Sequence, residues 1–317
     1  MAFTQDIEVI INLIDDEPDQ TSQQLVLKIE LDEEEYEFEE GFSDMNEMGK
    51  VLACIGKHVS KEYSNEKLSQ TLLKYALTCI SLNIIPRCQS YLRNPQTGVG
   101  SINDSEINLV KNVIIENNIR YYTHSPFIIN LCNPFTKKNP TSDKWVMGLL
   151  REDLINTSKI GGKGVVVHVG KYLKKNQRVA LDIMEKYIRQ TLPYATEECP
   201  LLLETAAGQG TELCVSIEDM SDFYDRFNDD DRRVFKICID TCHVFSAGYD
   251  PLFFVTKWNR LHPNSIRLVH FNDSQTEKGS KVDRHAYFLN GNGHIGTDKL
   301  MEVAKWCCYH DVDMVTE

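Results

Sequence analysis

The chain has 317 residues, 42% of them apolar, and a formal net charge of −13. That is enough to bury a large core, but no apolar run approaches the ~20 residues needed to span a bilayer. The start, MAFTQDIEVI, lacks the basic region and cleavage site of a secretory signal, and ten cysteines without short regular spacings read as reduced intracellular thiols rather than a disulfide framework. The charge is unevenly placed. Residues 1–50 hold 16 Asp/Glu and 2 Lys/Arg, whereas the remaining 267 hold 31 and 32. The body is therefore neutral and able to approach a polyanion if its charges are locally sorted.

In chain order, residues 1–49 read as an acidic N-terminal extension with two strand-like stretches, 7–14 and 23–31, followed by the run Asp32, Glu33, Glu34, Glu35. It is either a small β element or a solvated tail that dampens non-specific nucleic-acid contact. Residues 50–317 alternate. VLACIGKHV at 51–59 is a first strand, and residues 68–80 are helical. LNIIPRCQ at 82–89 is a strand running into a loop, and 105–118 a helix capped at Asp104-Ser105. IRYYTH at 119–124 is the third strand, and 141–160 a helix capped by Thr141 or Ser142. GVVVHVG at 164–170 precedes a helix over 178–192, PLLLETA at 200–206 one over 216–227, and VFKICIDTCH at 234–243 one over 252–261. IRLVHFND at 266–273, a helix over 297–308 capped by Thr297, and VDMVTE at 312–317 complete the series. Eight such units predict an α/β fold, a (β/α)8 TIM barrel, with strands apolar on both faces. No eighth helix follows the last strand, so the natural chain is expected to continue with a loop and a covering helix, unless the acidic segment packs there.

The ends of these strands carry the chemistry. His124, His168, Glu204, Asp240, His270 and Glu317 close strands three to eight in turn, and His243, Asp283 and His285 lie just beyond. A single His at a strand end is more often a hydrogen-bonded structural residue. Six successive barrel mouths are another matter, because the C-terminal strand ends converge on one face. Nine ligand-type side chains, one of them bridging, would supply a cluster of about three zinc-type ions. Imidazoles mixed with carboxylates suit zinc, with manganese or iron possible. Asp240 and His243 can face two neighbouring ions, and Asp283 and His285 point the same way from an extended segment. Glu204 precedes a small Gly-rich loop and is placed to bridge two ions as the catalytic carboxylate.

Six blocks then make a resemblance: HSPFIINL at 124–131, LETAAGQG at 203–210, CIDTCH at 238–243 with AGYD to 250, HFND at 270–273, GSKVDRH at 279–285 and GNGHIG at 291–296. Together they resemble the endonuclease IV family of apurinic/apyrimidinic endonucleases, from about Val51 to Glu317. The resemblance implies a TIM-barrel DNA-repair phosphodiesterase of base excision repair. It would use zinc, about three ions per chain, to cut duplex DNA 5′ to an abasic site and leave a 3′-hydroxyl. It implies that His124 and His168 bind a first zinc, with Glu204 bridging to a second that Asp240, His270 and Glu317 complete, and that His243, Asp283 and His285 bind a third. His58 matches a His near the site that is not counted as a ligand. Arg87 and Gln89 match a DNA-entering loop, and Phe127 and Ile128 match apolar wedges that unstack a base step. The loop PRCQSY departs from the familiar pattern, and the acidic segment has no recognised counterpart. We expect a monomer acting on abasic duplex DNA without a membrane, soluble inside the cell, in the cytoplasm, the nucleus or a viral replication compartment. The rival expectation is a metal-dependent sugar isomerase or epimerase on a similar barrel, against which the Asp283-His285 pair and the wedge residues argue.

Overall fold

Eight parallel strands close into a barrel in a computed structural model that describes residues 27–31, 34–38, 45–60, 66–134, 144–289 and 291–317. In chain order the barrel strands are β3 (Ile55–His58), β4 (Arg87–Ser90), β5 (Arg120–His124), β6 (Val165–His168), β7 (Leu201–Glu204), β8 (Phe235–Asp240), β9 (Ile266–His270) and β12 (Asp313–Thr316), with β12 pairing back onto β3. Helices α2 (Leu68–Ser81), α3 (Asp104–Glu116), α4 (Lys144–Lys159), α5 (Gln177–Thr191), α6 (Ile217–Tyr224), α9 (Pro251–Leu261) and α10 (Thr297–Tyr309) link successive strands, with short α7 (Asp229–Val234) and α8 (Thr241–Ser246) around β8. The predicted (β/α)8 architecture is the observed one. Among the described residues no helix is long and apolar enough to cross a membrane.

Alternation along the strands places the site. Tyr122, Val166, Leu202, Cys238, Leu268 and Val315 form one buried cluster inside the barrel. Each lies two residues before His124, His168, Glu204, Asp240, His270 and Glu317, respectively. Side chains two apart on a strand share a face. The apolar ring therefore forms the floor beneath a ring of six candidate ligands, and the outward positions between them pack on the helices.

Four features differ from the sequence expectation. Residues 45–52 form helix α1 (Met45–Leu52), and the first strand starts only at Ile55. This helix crosses the expected domain boundary at 49/50, buries Val51 and Leu52 in the main core and packs against α10. The sixth strand stops at Asp240, whose Oδ1 accepts from the His243 amide at 2.9 Å and so caps α8. Two other caps shift by a residue. Asn103 caps α3, and Gly296 occupies the cap position of α10, while the Thr297 hydroxyl donates to Phe288 O. In the acidic segment, β1 (Leu27–Leu31) pairs antiparallel with β2 (Glu34–Phe38), so the partner of 27–31 is the acidic stretch, where Tyr36 and Phe38 favour a strand. The predicted strand 7–14 and the caps Thr141 and Ser142 lie outside the described residues.

At the closed end of the barrel Asp313 accepts from Arg87 Nε at 3.0 Å, Arg120 Nε at 2.9 Å and Tyr122 Oη at 2.7 Å. A carboxylate this buried is tolerated because it is fully paired. Gly56 of β3 runs so close to the Arg87 backbone that an added Cβ would collide with its carbonyl group. Gly56→Ala is expected to destabilise the fold by about 1–3 kcal/mol, read from the denaturant midpoint. An unchanged midpoint would show that β3 and β4 can move apart.

Candidate metal centre

The nine sequence-predicted ligands come together at the C-terminal mouth. Their donor atoms form three groups in which all lie within 4.8 Å of one another: His124, His168 and Glu204; Glu204, Asp240, His270 and Glu317; and His243, Asp283 and His285. Glu204 is common to two groups. One of its oxygens faces His124 Nε2 at 3.3 Å and His168 Nε2 at 3.0 Å, and the other faces His270 Nδ1 at 3.1 Å and His243 Nδ1 at 3.4 Å. His243 reaches the cluster from the first turn of α8, Asp283 from the loop between β10 (Asp273–Ser274) and β11 (His285–Ala286), and His285 from the start of β11. Asp283 Oδ2 lies 3.3 Å from His243 Nε2, and Asp283 Oδ1 lies 3.2 Å from His285 Nε2. Glu317 follows β12. Its side chain is only 16% exposed and lies 3.2 Å from His270 Nδ1.

The rings are oriented from behind. Nδ1 of His124 donates to Ser125 O at 2.7 Å, and Nδ1 of His243 donates to Thr205 O at 2.8 Å, because a carbonyl can only accept. Both leave Nε2 as the lone-pair nitrogen aimed into the cluster. His270 is turned the other way. Its Nε2 faces Gln89 Oε1 at 2.9 Å, freeing Nδ1 toward Glu204 and Glu317. A backbone or amide acceptor behind each of these three imidazoles is the pattern of metal-ligating histidines. The carboxylates are braced too. Asn272 donates from Nδ2 to Asp240 Oδ2 at 2.7 Å and accepts the Glu317 amide on Oδ1 at 2.9 Å.

Charge explains why these groups coexist. Burial disfavours ionised Glu204, yet the surrounding His168, His270 and His124 hold it well below the usual carboxylate range. Burial likewise opposes charge on His270, but Cys238, Glu317 and Glu204 push it well above its ordinary value. For His124 burial prevails and lowers the ring. The set therefore fits divalent ions. The donors are mixed nitrogen and oxygen, the far nitrogens of His124, His243 and His270 are already engaged, and His285 Nε2 faces two carboxylates, Asp283 at 3.2 Å and Asp240 at 3.5 Å. A rival group, Asp240, Cys242 and His285, is also close. Cys242 is a poorer donor. Burial pushes its thiol up to about 12, and its Sγ is directed at Arg284 O at 3.5 Å.

The predicted DNA-contacting residues divide. Arg87 is not at the mouth. It begins β4 at the opposite end, paired with Asp313, because residue 87 opens the strand rather than lying in the loop after it. Gln89 is fully buried and braces the cluster, donating to Glu317 Oε1 at 2.7 Å as well as accepting from His270. Phe127 is 52% exposed and stacks on His168, with centroids 5.6 Å apart and planes at 12°. Ile128 is half-buried and packs against the core. The sequence reading left Tyr91 and Asn272 without roles. Tyr91 packs edge-on to Phe127 at 5.6 Å and lies 4.8 Å from the His58 ring. These residues, with His168, His243, Asp283, Arg284, His285 and Glu317, line a cleft of about 430 Å³. Asn272 lay within the HFND block, where a polar residue two past a ligand was the available signal.

The family model described as "Xylose isomerase-like TIM barrel" matches residues 89–316. A protein named endonuclease 4 from Acanthamoeba polyphaga mimivirus is 32% identical over 217 residues, covering 64% of this chain and 68% of that protein. One of that name from Acholeplasma laidlawii is 31% identical, covering 61% and 65%, and one from Mesoplasma florum is 28% identical, covering 83% and 89%. Among solved structures, endonuclease IV from Thermus thermophilus superposes with a TM-score of 0.65 at 22% identity, covering 83% of this chain and 91% of that one. A D-tagatose 3-epimerase-like protein does so with 0.59 at 18%, covering 83% and 89%. At these identities the structural likeness establishes the barrel alone.

Proposed function

This chain belongs to the endonuclease IV family within the xylose isomerase-like TIM barrels, and from that premise we propose that it is a zinc-dependent DNA-repair endonuclease. It hydrolyses the phosphodiester 5′ to an abasic site in duplex DNA and leaves a 3′-hydroxyl. The observation that carries the reading is the convergence of three donor groups on one mouth, joined through Glu204. His124, His168, Glu204, Asp240, His243, His270, Asp283, His285 and Glu317 would hold about three ions, which would supply Lewis-acid neutralisation of charge on the phosphate and a bound water acidic enough to react near neutral pH.

The chain's own residues do the rest. Glu204 spans the groups with both oxygens and orients the attacking water. Asn272 and Gln89 keep Asp240, Glu317 and His270 in place as negative charge builds on the phosphate. Phe127 and Tyr91 stand at the rim as an aromatic wedge against the base stack. An abasic nucleotide has no base to unstack, so its extrusion costs less by a few kcal/mol, and damage is selected by geometry. A sugar isomerase needs no such wedge and no third donor group.

Nicking of a duplex carrying one abasic analogue, run beside an aldose–ketose isomerisation assay, separates the two readings. Isomerisation without nicking would overturn this one. Phe127→Ala is expected to weaken abasic-duplex binding by about 1–3 kcal/mol, the worth of one aromatic–base stack, with bound metal unchanged. Fluorescence anisotropy reads the affinity, and wild-type affinity would remove Phe127 from the interface.

The acidic extension, 1–49, is proposed to lower affinity for undamaged DNA through like-charge repulsion with phosphates.

A further inference from the structure

A buried ion pair lies outside the metal cluster, under the loop that follows β4. Arg93 has a side chain only 3% exposed, and Asp153 of α4 one only 1% exposed. Arg93 Nε donates to Asp153 Oδ1 at 2.8 Å, its Nη1 donates to Gly100 O at 3.2 Å, and its Nη2 lies 3.2 Å from Glu152 Oε2. Glu152 in turn accepts from the Ser101 hydroxyl. One guanidinium thus fastens both ends of the segment 93–101 to one turn of α4.

That segment is also folded on itself. Asn94 Oδ1 accepts from the amides of Gln96 and Thr97, and the Asn94 amide donates to Val99 O. Its tip reaches sideways to the next strand's loop, where the Phe127 amide donates to Pro95 O at 2.8 Å. Tyr91 enters the segment at its start and meets Phe127 ring to ring. The two rim aromatics follow neighbouring strands, and beyond the strand pairing the fastened segment ties the Phe127 backbone to the Tyr91 side of the rim.

We infer that the Arg93–Asp153 pair is a positioning post that presets the aromatic rim of the mouth for substrate, an inference that rests on the proposed duplex-DNA reading. Stability alone is a poor reason for such a pair. Taking two charges out of water offsets most of their attraction, and apolar residues of similar volume hold a loop as well. A planar guanidinium with several fixed donors does something they do not: it sets one arrangement of the Asp153 carboxylate and the Gly100 carbonyl at once, with the Glu152 carboxylate beside it. Rim geometry is where a single arrangement matters, because a misplaced wedge loses the substrate before chemistry.

The test uses the full-length, metal-loaded protein, Arg93→Met, and Arg93→Lys, which keeps the charge but loses the fork. Two readouts are taken: steady-state nicking of an abasic duplex, and hydrogen–deuterium exchange at the Phe127 amide. For Arg93→Met, KM should rise about 100-fold while kcat stays within about threefold, the pattern of lost preorganisation rather than lost chemistry. The Phe127 amide should exchange faster, while the Thr123 and Ser125 amides on the barrel wall and the metal content stay at wild-type values. Arg93→Lys should fall between the two and carries the test if Arg93→Met does not fold. Unchanged protection at Phe127 in a folded variant overturns the inference. So does a fall in kcat with loss of metal, which would mark a general structural role. If the wild type does not nick abasic DNA, the functional reading fails, and Phe127 exchange alone decides the post.

Discussion

Glu204→Gln is expected to reduce nicking of an abasic duplex by about 10³-fold or more, the scale on which a key electrostatic group acts. The residue is fully buried, and its two oxygens face four imidazoles from β5, β6, α8 and β9. The amide is nearly isosteric, so packing survives. What is lost is the anion, and one donor position becomes an NH2 group that cannot face an ion or accept a proton from water. The two neighbouring groups are then no longer joined by a shared charge. Single-turnover kinetics beside a thermal melt read the effect. A folded variant that nicks at near-wild-type rate would remove Glu204 from its central place.

Removing the metal should have an effect as large, and on two properties together. With a strong chelator, nicking should fall to background, and the melting temperature should drop. Glu204, Asp240, Asp283 and Glu317 crowd one mouth, and without ions only the imidazoles offset them. Binding to the native state alone stabilises it by about 4 kcal/mol for each ion present at 1,000 times its dissociation constant, so stripping several ions should be plain in a melt. Added zinc should restore both properties, and elemental analysis should count about three ions per chain, since the donors fall into three groups. A fully active protein holding one ion would contradict this count. Activity restored without recovery of the melt would separate the catalytic ions from the stabilising ones.

Much of this was legible in the sequence because parallel strands report their two faces plainly. VVVH, LLLE and FKICID each end on a ligand type two residues past an inward apolar residue; β5 and β9 follow the same rule, and Glu317 stands one residue past the end of β12. The rule needs only alternation and the convergence of strand ends, so the donor ring could be assembled without coordinates. The misplacements lie where alternation is cut short. Pro86 made 82–89 look like a strand running into a loop, whereas the strand begins at Arg87. That one shift sends Arg87 to the closed end and Gln89 into the donor cluster. Asp240 is both a strand terminus and a helix cap, and apolar pattern alone cannot register the change from one to the other. Long-range roles were hidden for a different reason. Asn272 braces Asp240 and Glu317, and Arg93 finds Asp153 60 residues on. No local spacing encodes either.

The central claim is that this mouth cuts DNA at abasic sites, and the most direct measurement maps the product ends. A duplex carrying a single tetrahydrofuran abasic analogue, labelled on either strand, is incubated with the full chain with and without chelator. The expected result is one cut, immediately 5′ to the analogue, with a 3′-hydroxyl that a polymerase can extend, and none when chelator is present. No cut, a cut on the 3′ side that leaves a blocked end, or undiminished cutting in chelator would contradict the account.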